Sequence, residues 1–257
     1  MDSREIDALL ELYHAEPAAN SLKTLLCLKE KGLNFESHYV NLAEFEQHEP
    51  EFVKLNPNGQ VPLLVHDGNV ITESTLINEY IEDVFPEPKL RPDEPVARAH
   101  MRFWTKYVDE YFCPALSVLG WQRIIKGMVE HLSEEEFEEK VARIPLKEQR
   151  DKWRTAAKQA FPQEQLDDCR RRVETSLARI EEALESSNWV AGEDYTLADI
   201  SCFAMMAGLP MFQPDMMNAE ETPRCMEWHA AMMDRPAVRA ALAMPNKTFP
   251  AHKSSAS

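Results

Sequence analysis

Three prolines within seven residues, Pro86, Pro88 and Pro92, cut this chain into two stretches of different texture. Proline fixes φ and carries no amide donor, so neither a helix nor a central strand runs through such a segment, and the chain stays extended there. The two sides can therefore be read separately.

On the N-terminal side, strand and helix patterns alternate. Residues 9–13 form a short apolar run that predicts a buried strand. Leu22, Leu25, Leu26 and Leu28 then recur at helical spacing, and Gly32 is a suitable C-cap. Residues 35–42 alternate weakly, as a strand would. The polar residues 44–54 predict a short helix or an irregular turn. Residues 61–65 and 70–72 flank His66-Asp67-Gly68-Asn69, and Asp-Gly between β-prone runs is a strong hairpin signal. Residues 73–85 place Leu76, Ile77, Tyr80, Ile81 and Val84 on one helical face. The expected order is β-α-β-α-β-β-α.

Beyond Pro95 no strand pattern appears. Met101, Trp104, Tyr107, Val108, Tyr111 and Phe112 recur every three or four residues and predict one long amphipathic helix. Residues 122–160 are highly charged, with Ser133 to Glu136 reading as a capping box. Phe161-Pro162-Gln163-Glu164 opens a helix running through Val173, Leu177, Ile180 and Leu184, with proline near its first turn. Thr196-Leu197-Ala198-Asp199 caps a further apolar stretch. The organisation expected is an α/β domain over 1–86, with an N-terminal extension at 1–7. A proline-rich linker at 87–95, an all-α domain over 96–245 and a polar tail at 246–257 follow. A chain of 257 residues is long enough for two such units.

Composition narrows the partners. With 28 basic and 44 acidic residues the net charge is −16, which disfavours nucleic-acid binding and leaves any anionic ligand to a few local donors. No secretory signal and no membrane-length apolar run is present, so a cytoplasmic protein away from the membrane is expected. The five cysteines are scattered without C-x-x-C spacing and read as small buried residues in a reducing compartment. Eight histidines without H-x-x-x-H or similar grouping give no metal motif. Nine of the twelve methionines lie between Met205 and Met244, where their flexible side chains suit packing.

Asn56-Pro57-Asn58-Gly59-Gln60-Val61-Pro62-Leu63-Leu64, then Thr72-Glu73-Ser74 after the hairpin, then the Thr196 cap, together resemble the glutathione transferase superfamily. Asn20-Ser21-Leu22-Lys23, Phe45-Glu46-Gln47-His48, the segment from Trp104 to Cys113 and Phe161-Pro162-Gln163-Glu164 are similar to the bacterial glutathione-dependent β-etherases, which cleave β-aryl ethers of lignin-derived compounds. His14-Ala15-Glu16-Pro17 and the longer N-terminus depart from that family. The resemblance implies a thioredoxin-like N-terminal domain that binds glutathione as a consumed co-substrate, an all-α domain that binds a hydrophobic aromatic molecule, and a homodimer. The implied reaction is attack of glutathione thiolate on the carbon bearing the aryloxy group. General conjugation, dehalogenation and a non-catalytic binding module are the alternatives.

The resemblance also assigns residues, each with a plainer reading beside it. Asn20 and Ser21 are common helix caps, and Ser21, supported by Asn20, is the implied partner of the thiolate. Val61-Pro62 reads as a strand start and is implied to be a cis peptide whose valine backbone pairs with glutathione. Glu73 and Ser74 suit a helix start and are implied to hold the γ-glutamyl end. Gln47, His48 and Gln60 are implied at the glycine end, although the first two lie in a stretch that reads as solvated surface. Tyr107, Tyr111, Phe112 and Trp121 suit interhelical packing or a dimer contact, and are candidates for the second-substrate pocket. Tyr13, at the end of the first strand, is a rival to Ser21 and otherwise a strand aromatic.

Overall fold

The computed structural model describes residues 9–246. The expected extension at 1–7 and, apart from residue 246, the polar tail lie outside the described residues. Four strands, β1 (Leu10–His14), β2 (Glu36–Tyr39), β3 (Leu63–His66) and β4 (Asn69–Thr72), form one sheet in the order β2-β1-β3-β4. β1 runs parallel to β2 and antiparallel to β3, and β3 pairs antiparallel with β4. Asp67 and Gly68 both take positive φ in the β3–β4 turn, as a tight hairpin requires.

Helices α1 (Ala19–Glu30), α2 (Pro50–Leu55) and α3 (Ser74–Val84) complete the α/β unit. In α1 every residue from Ser21 to Leu28 is buried, because the helix is covered by the sheet on one side and by the C-terminal helices on the other. The polar stretch after β2 forms two single 3-10 turns, Leu42–Glu44 and Glu46–His48, ahead of α2. This is the thioredoxin-like arrangement the resemblance implies.

The C-terminal part contains only helices among the described residues: α4 (Pro95–Tyr107), α5 (Cys113–Met128), α6 (Glu134–Ala142), α7 (Lys147–Lys158), α8 (Gln163–Ala183), α9 (Leu197–Met206), α10 (Leu209–Phe212), α11 (Pro223–Asp234) and α12 (Pro236–Leu242). Both expected capping boxes are present, Ser133 with Glu136 and Thr196 with Asp199. The single long amphipathic helix is not: a π-helical turn at Val108–Phe112 separates α4 from α5. One extra residue per turn there rotates everything C-terminal to it relative to α4.

α9 is buried along its whole length, and its apolar residues join those of α1, α4, α8 and α11 in one core. Met205, Met206, Met216, Met217 and Met232 belong to it. A second, smaller cluster lies under α6 and α7, where Phe137, Val141, Trp153 and Ala156 surround Phe45 from the α/β unit. The charged segment therefore lies against the 42–49 loop, with Arg143 pairing with Glu49 at 2.9 Å and Lys140 donating to the Glu44 carbonyl at 3.0 Å. No helix of the described residues is long and apolar enough to cross a membrane.

Candidate active site

The starts of α1 and α3 meet where Ser74 Oγ reaches Asn20 Oδ1 at 3.4 Å. At α1 the cap residue is Ala18, in an extended conformation and without a side-chain cap bond. Asn20 and Ser21 sit inside the first turn, which corrects the plain expectation that they cap the helix. The cause is the loop before it: the Ala15 N–H donates to Ser21 Oγ at 3.1 Å, folding that loop back over the helix start. Ser21 is buried, and since its oxygen serves the loop as an acceptor, the hydroxyl hydrogen remains for another partner. Unpaired first-turn amides surround it with positive potential.

Asn20 ties this turn to two other elements. Its Oδ1 accepts from Ser74 Oγ at 3.4 Å and from the Cys113 thiol at 3.9 Å. Ser74 is the first residue of α3 and is buried. Glu73 before it has φ 68° and ψ 111° and makes no side-chain cap bond. It is thus the junction residue, not the first-turn acid of the plain reading. A positive φ at a residue with a side chain costs about 1–3 kcal/mol and persists where surrounding structure imposes it. With its carboxylate exposed, Glu73 stands beside a pair of helix N-termini that together suit an anionic group. The Val61-Pro62 peptide preceding β3 is cis.

The 42–49 loop departs most from expectation. Gln47 and His48, read from the sequence as solvated, are both buried. Phe45 explains it: in the left-handed region (φ 61°), it lies 1% exposed with its ring 4.4 Å from that of Trp153, drawing the following turn inward. Gln47 Nε2 and His48 Nε2 lie 3.2 Å apart, while Gln47 Oε1 and His48 Nδ1 have no hydrogen-bond partner among the described residues. Burial pushes the His48 imidazole down to about 4, so it is neutral near pH 7 and able to donate a hydrogen bond without acting as a cation. A Cβ on Gly59 would lie 2.6 Å from His48 Nδ1, and Gly59 also has φ +61°; both conditions require glycine. Asn56 holds this turn, donating to the Gln60 carbonyl at 2.8 Å, and leaves the Gln60 side chain part-exposed.

The four aromatic candidates do not converge. Tyr107 stacks on Tyr111 at 5.1 Å and shares a 3.1 Å hydrogen bond with Ser176 of α8. Arg179 and Arg172 lie over the two rings. Phe112 is fully buried in the main core and has no face to offer a ligand in this conformation. Trp121 alone of the four shares a stripe with Cys113, since residues four apart on a helix share a face and Cys113, Ser117 and Trp121 are so spaced on α5. Tyr13 packs in the sheet, its ring 4.3 Å from that of His38 and 6.1 Å from that of Phe52.

Sequence reasoning missed three groups here. Lys23, fully buried in α1, donates to Thr75 Oγ1 at 2.8 Å and to Asp109 at 2.6 Å. It ties α1 to α3 and to the π-helical turn, and a lysine among leucines is the only local sign of it. Cys113 touches Asn20, and Lys152 of α7 reaches Ser117; neither has a local sequence signal. Glu11, Glu36 and His38 also lie together at the outer edge of the sheet, where register pairing of Glu11 with Glu36 brings them around the imidazole.

Residues 8–83 match the family model "Glutathione S-transferase, N-terminal domain", and residues 117–236 match "Glutathione S-transferase, C-terminal domain". The chain belongs to the glutathione S-transferase family. It is 49% identical over 236 residues to Protein LigF of Sphingobium sp., covering 90% of this chain and 91% of that protein. The crystal structure of the β-etherase LigF from Sphingobium sp. strain SYK-6 superposes with a TM-score of 0.87, covering 90% of this chain and 98% of that one. Glutathione S-transferase 3 of Zea mays is 29% identical, covering 92% of this chain and 94% of the maize protein.

Proposed function

We propose that this transferase is a glutathione-dependent β-etherase. The observation that carries the reading is the 49% identity to LigF, a β-etherase, sustained over 90% of the chain. It extends through the helical part that would hold the second substrate. In this reading glutathione lies along the edge between β3 and the two helix starts. Its γ-glutamyl end meets Ser74 and Glu73, its cysteine main chain meets Val61 beside Pro62, and its glycine end reaches Gln47, His48 and Gln60. The unpaired atoms of Gln47 and His48 support that placement.

Ser21, with Asn20 beside it, hydrogen-bonds the sulfur. A free thiol titrates near 8.5, and a helix N-terminus lowers that value, so the bound sulfur is poised as thiolate. It attacks the carbon bearing the aryloxy group, next to a ketone, forming a C–S bond as the C–O bond breaks. A glutathione thioether and a phenol result, and glutathione is consumed. The enzyme is a cytoplasmic homodimer in this reading, with an aromatic molecule held by the helical part.

The test is phenol release from a β-aryloxy ketone with glutathione present. The wild type is expected to release phenol and form the thioether. Ser21→Ala should fold, bind glutathione and lose about 100-fold or more in kcat, the scale of removing one aimed hydrogen-bond donor. Good turnover of halide or epoxide electrophiles with no phenol release would make it a general conjugating or dehalogenating transferase. Glutathione binding with no turnover of any of these electrophiles would make it a binding module, and full phenol release by Ser21→Ala would remove Ser21 as the partner of the thiolate.

A further inference from the structure

The two lysines fully buried in this fold have carboxylate partners: Lys23 has Asp109 and Lys31 has Glu82. Lys152 has no such partner. It is half-buried, and among the described residues it forms no ion pair. Its Nζ donates to Ser117 Oγ at 2.8 Å and stands 4.2 Å from the centroid of the Trp121 ring. An ammonium group has three donors, and a single hydroxyl leaves two of them uncommitted in an apolar setting. Burial holds the ammonium below the ordinary lysine value, with Cys113 and Cys169 pulling more weakly the other way.

Its position relates it to the proposed chemistry. Cys113, Ser117 and Trp121 follow one another along a stripe of α5, each step of four residues rising about 6 Å. Cys113 is the residue that touches Asn20, next to Ser21. The ammonium held at Ser117 is therefore about one helical turn from the side chain that meets the thiolate-bearing helix start. Trp121 presents an aromatic face beside it. A nucleophile at one end, a cation at the other and an indole alongside match an aryl ether whose oxygen must leave as an anion.

We propose that Lys152 is a catalytic residue of the etherase reaction, its ammonium hydrogen-bonding the departing aryloxide oxygen while the aryl ring lies against Trp121. The inference rests on the β-etherase reading above. As the sulfur's electron pair forms the C–S bond, the C–O pair moves onto the aryl oxygen. The Lys152 ammonium gives that oxygen its proton, and the neutral amine regains one from water. Glutathione and ether become thioether and phenol. A phenol titrates near 10, so a lysine held somewhat below its usual value is closely matched to it as a proton donor.

The experiment compares wild type and Lys152→Met on two β-aryloxy ketones that differ only in the leaving group, unsubstituted phenoxide or 4-nitrophenoxide. Lys152→Met is expected to lose about 100-fold in kcat with phenoxide and only a few-fold with 4-nitrophenoxide, which needs little help to depart. Its glutathione Kd should be unchanged. Equal losses with both leaving groups, or none, overturn the proposal. So does a glutathione Kd weakened tenfold or more, which would place Lys152 on the tripeptide. Wild type that releases neither phenol sinks the etherase reading itself. Should Lys152→Met fail to fold, a titration of 4-nitrophenol bound to the wild type decides. Beside Lys152 its apparent pKa is expected to fall at least one unit below that of the free phenol, and an unshifted or raised value refutes the assignment.

Discussion

In the proposed reading Phe45 links the stability of the α6–α7 segment to glutathione binding, and two substitutions separate its ring from its backbone. The ring is 1% exposed, 4.4 Å from Trp153, 6.3 Å from Phe137 and 6.1 Å from His48. Truncating such a buried phenylalanine to alanine costs about 3–5 kcal/mol. The backbone adds a second effect. At φ 61° any Cβ meets its own carbonyl at a cost of about 1–2 kcal/mol, which Phe45→Ala keeps and Phe45→Gly removes. Glycine's greater freedom in the unfolded chain takes back part of that gain. Phe45→Gly should therefore be the milder substitution by roughly 1 kcal/mol, although it removes more atoms. Guanidinium unfolding followed through tryptophan fluorescence gives the order of the two. Calorimetry with glutathione gives the functional half, because without the plug Gln47 and His48 lose the burial that fixes them. Affinity should fall about tenfold in both variants, roughly 1.4 kcal/mol. Equal stability of the two variants, or alanine above glycine, refutes the backbone argument. Unchanged glutathione affinity in both refutes the link between the plug and the site.

Asp199 supplies a pH-dependent test of the fold. Burial raises its carboxyl from 3.8 to about 6, so between those values the native state holds a proton that the unfolded chain has shed. Its contribution is full near pH 4 and is lost as pH rises through 6, by roughly 3 kcal/mol at about 1.4 kcal/mol per pH unit. Asp199→Asn should be less stable throughout, since an amide nitrogen cannot accept from the Thr196 N–H. The wild-type minus mutant difference should shrink from pH 4 to pH 6, and a difference that grows instead contradicts the assignment. For the proposed homodimer, Phe103 and Leu76 are large apolar side chains 51% and 61% exposed, on helices joined by Arg102–Glu79 at 2.8 Å. Phe103→Glu should run as a monomer in light scattering, and a persistent dimer would place the interface elsewhere.

What the sequence disclosed was what neighbouring residues decide. The Asp67-Gly68 turn and the Ser133 and Thr196 caps were legible because each closes within four residues of itself. The helix carrying Leu22 to Leu28 was legible because its apolar period is helical. Expectations failed where a distant segment took part. Gln47 and His48 read as solvated surface because their neighbours are polar, and what buries them is Phe45 seated against Trp153, 108 positions later in the chain. The aromatic run from Trp104 to Phe112 gave no sign of a π-helical turn. That turn sets Trp121 against the Trp153 cluster, while Tyr107 and Tyr111 stack towards α8.

Lys23 and Lys152 show how partner chemistry separates two residues of one type. Both point inward from helices and both donate to a hydroxyl, Thr75 in one case and Ser117 in the other. Lys23 also meets Asp109. That pair satisfies its charge, and replacing Asp109 would strand the fully buried ammonium. Its task is completed inside the fold, where it joins the two parts of the chain. Lys152 has a hydroxyl and an indole face, neither of which cancels a positive charge. In a chain with sixteen more acids than bases, a carboxylate for it would have been easy to supply. Partial burial of an unpaired cation is costly, and an arriving anion offsets that cost. In the etherase reading that anion exists only while the C–O bond is breaking, so the stabilisation falls on the transition state and not on the bound ether.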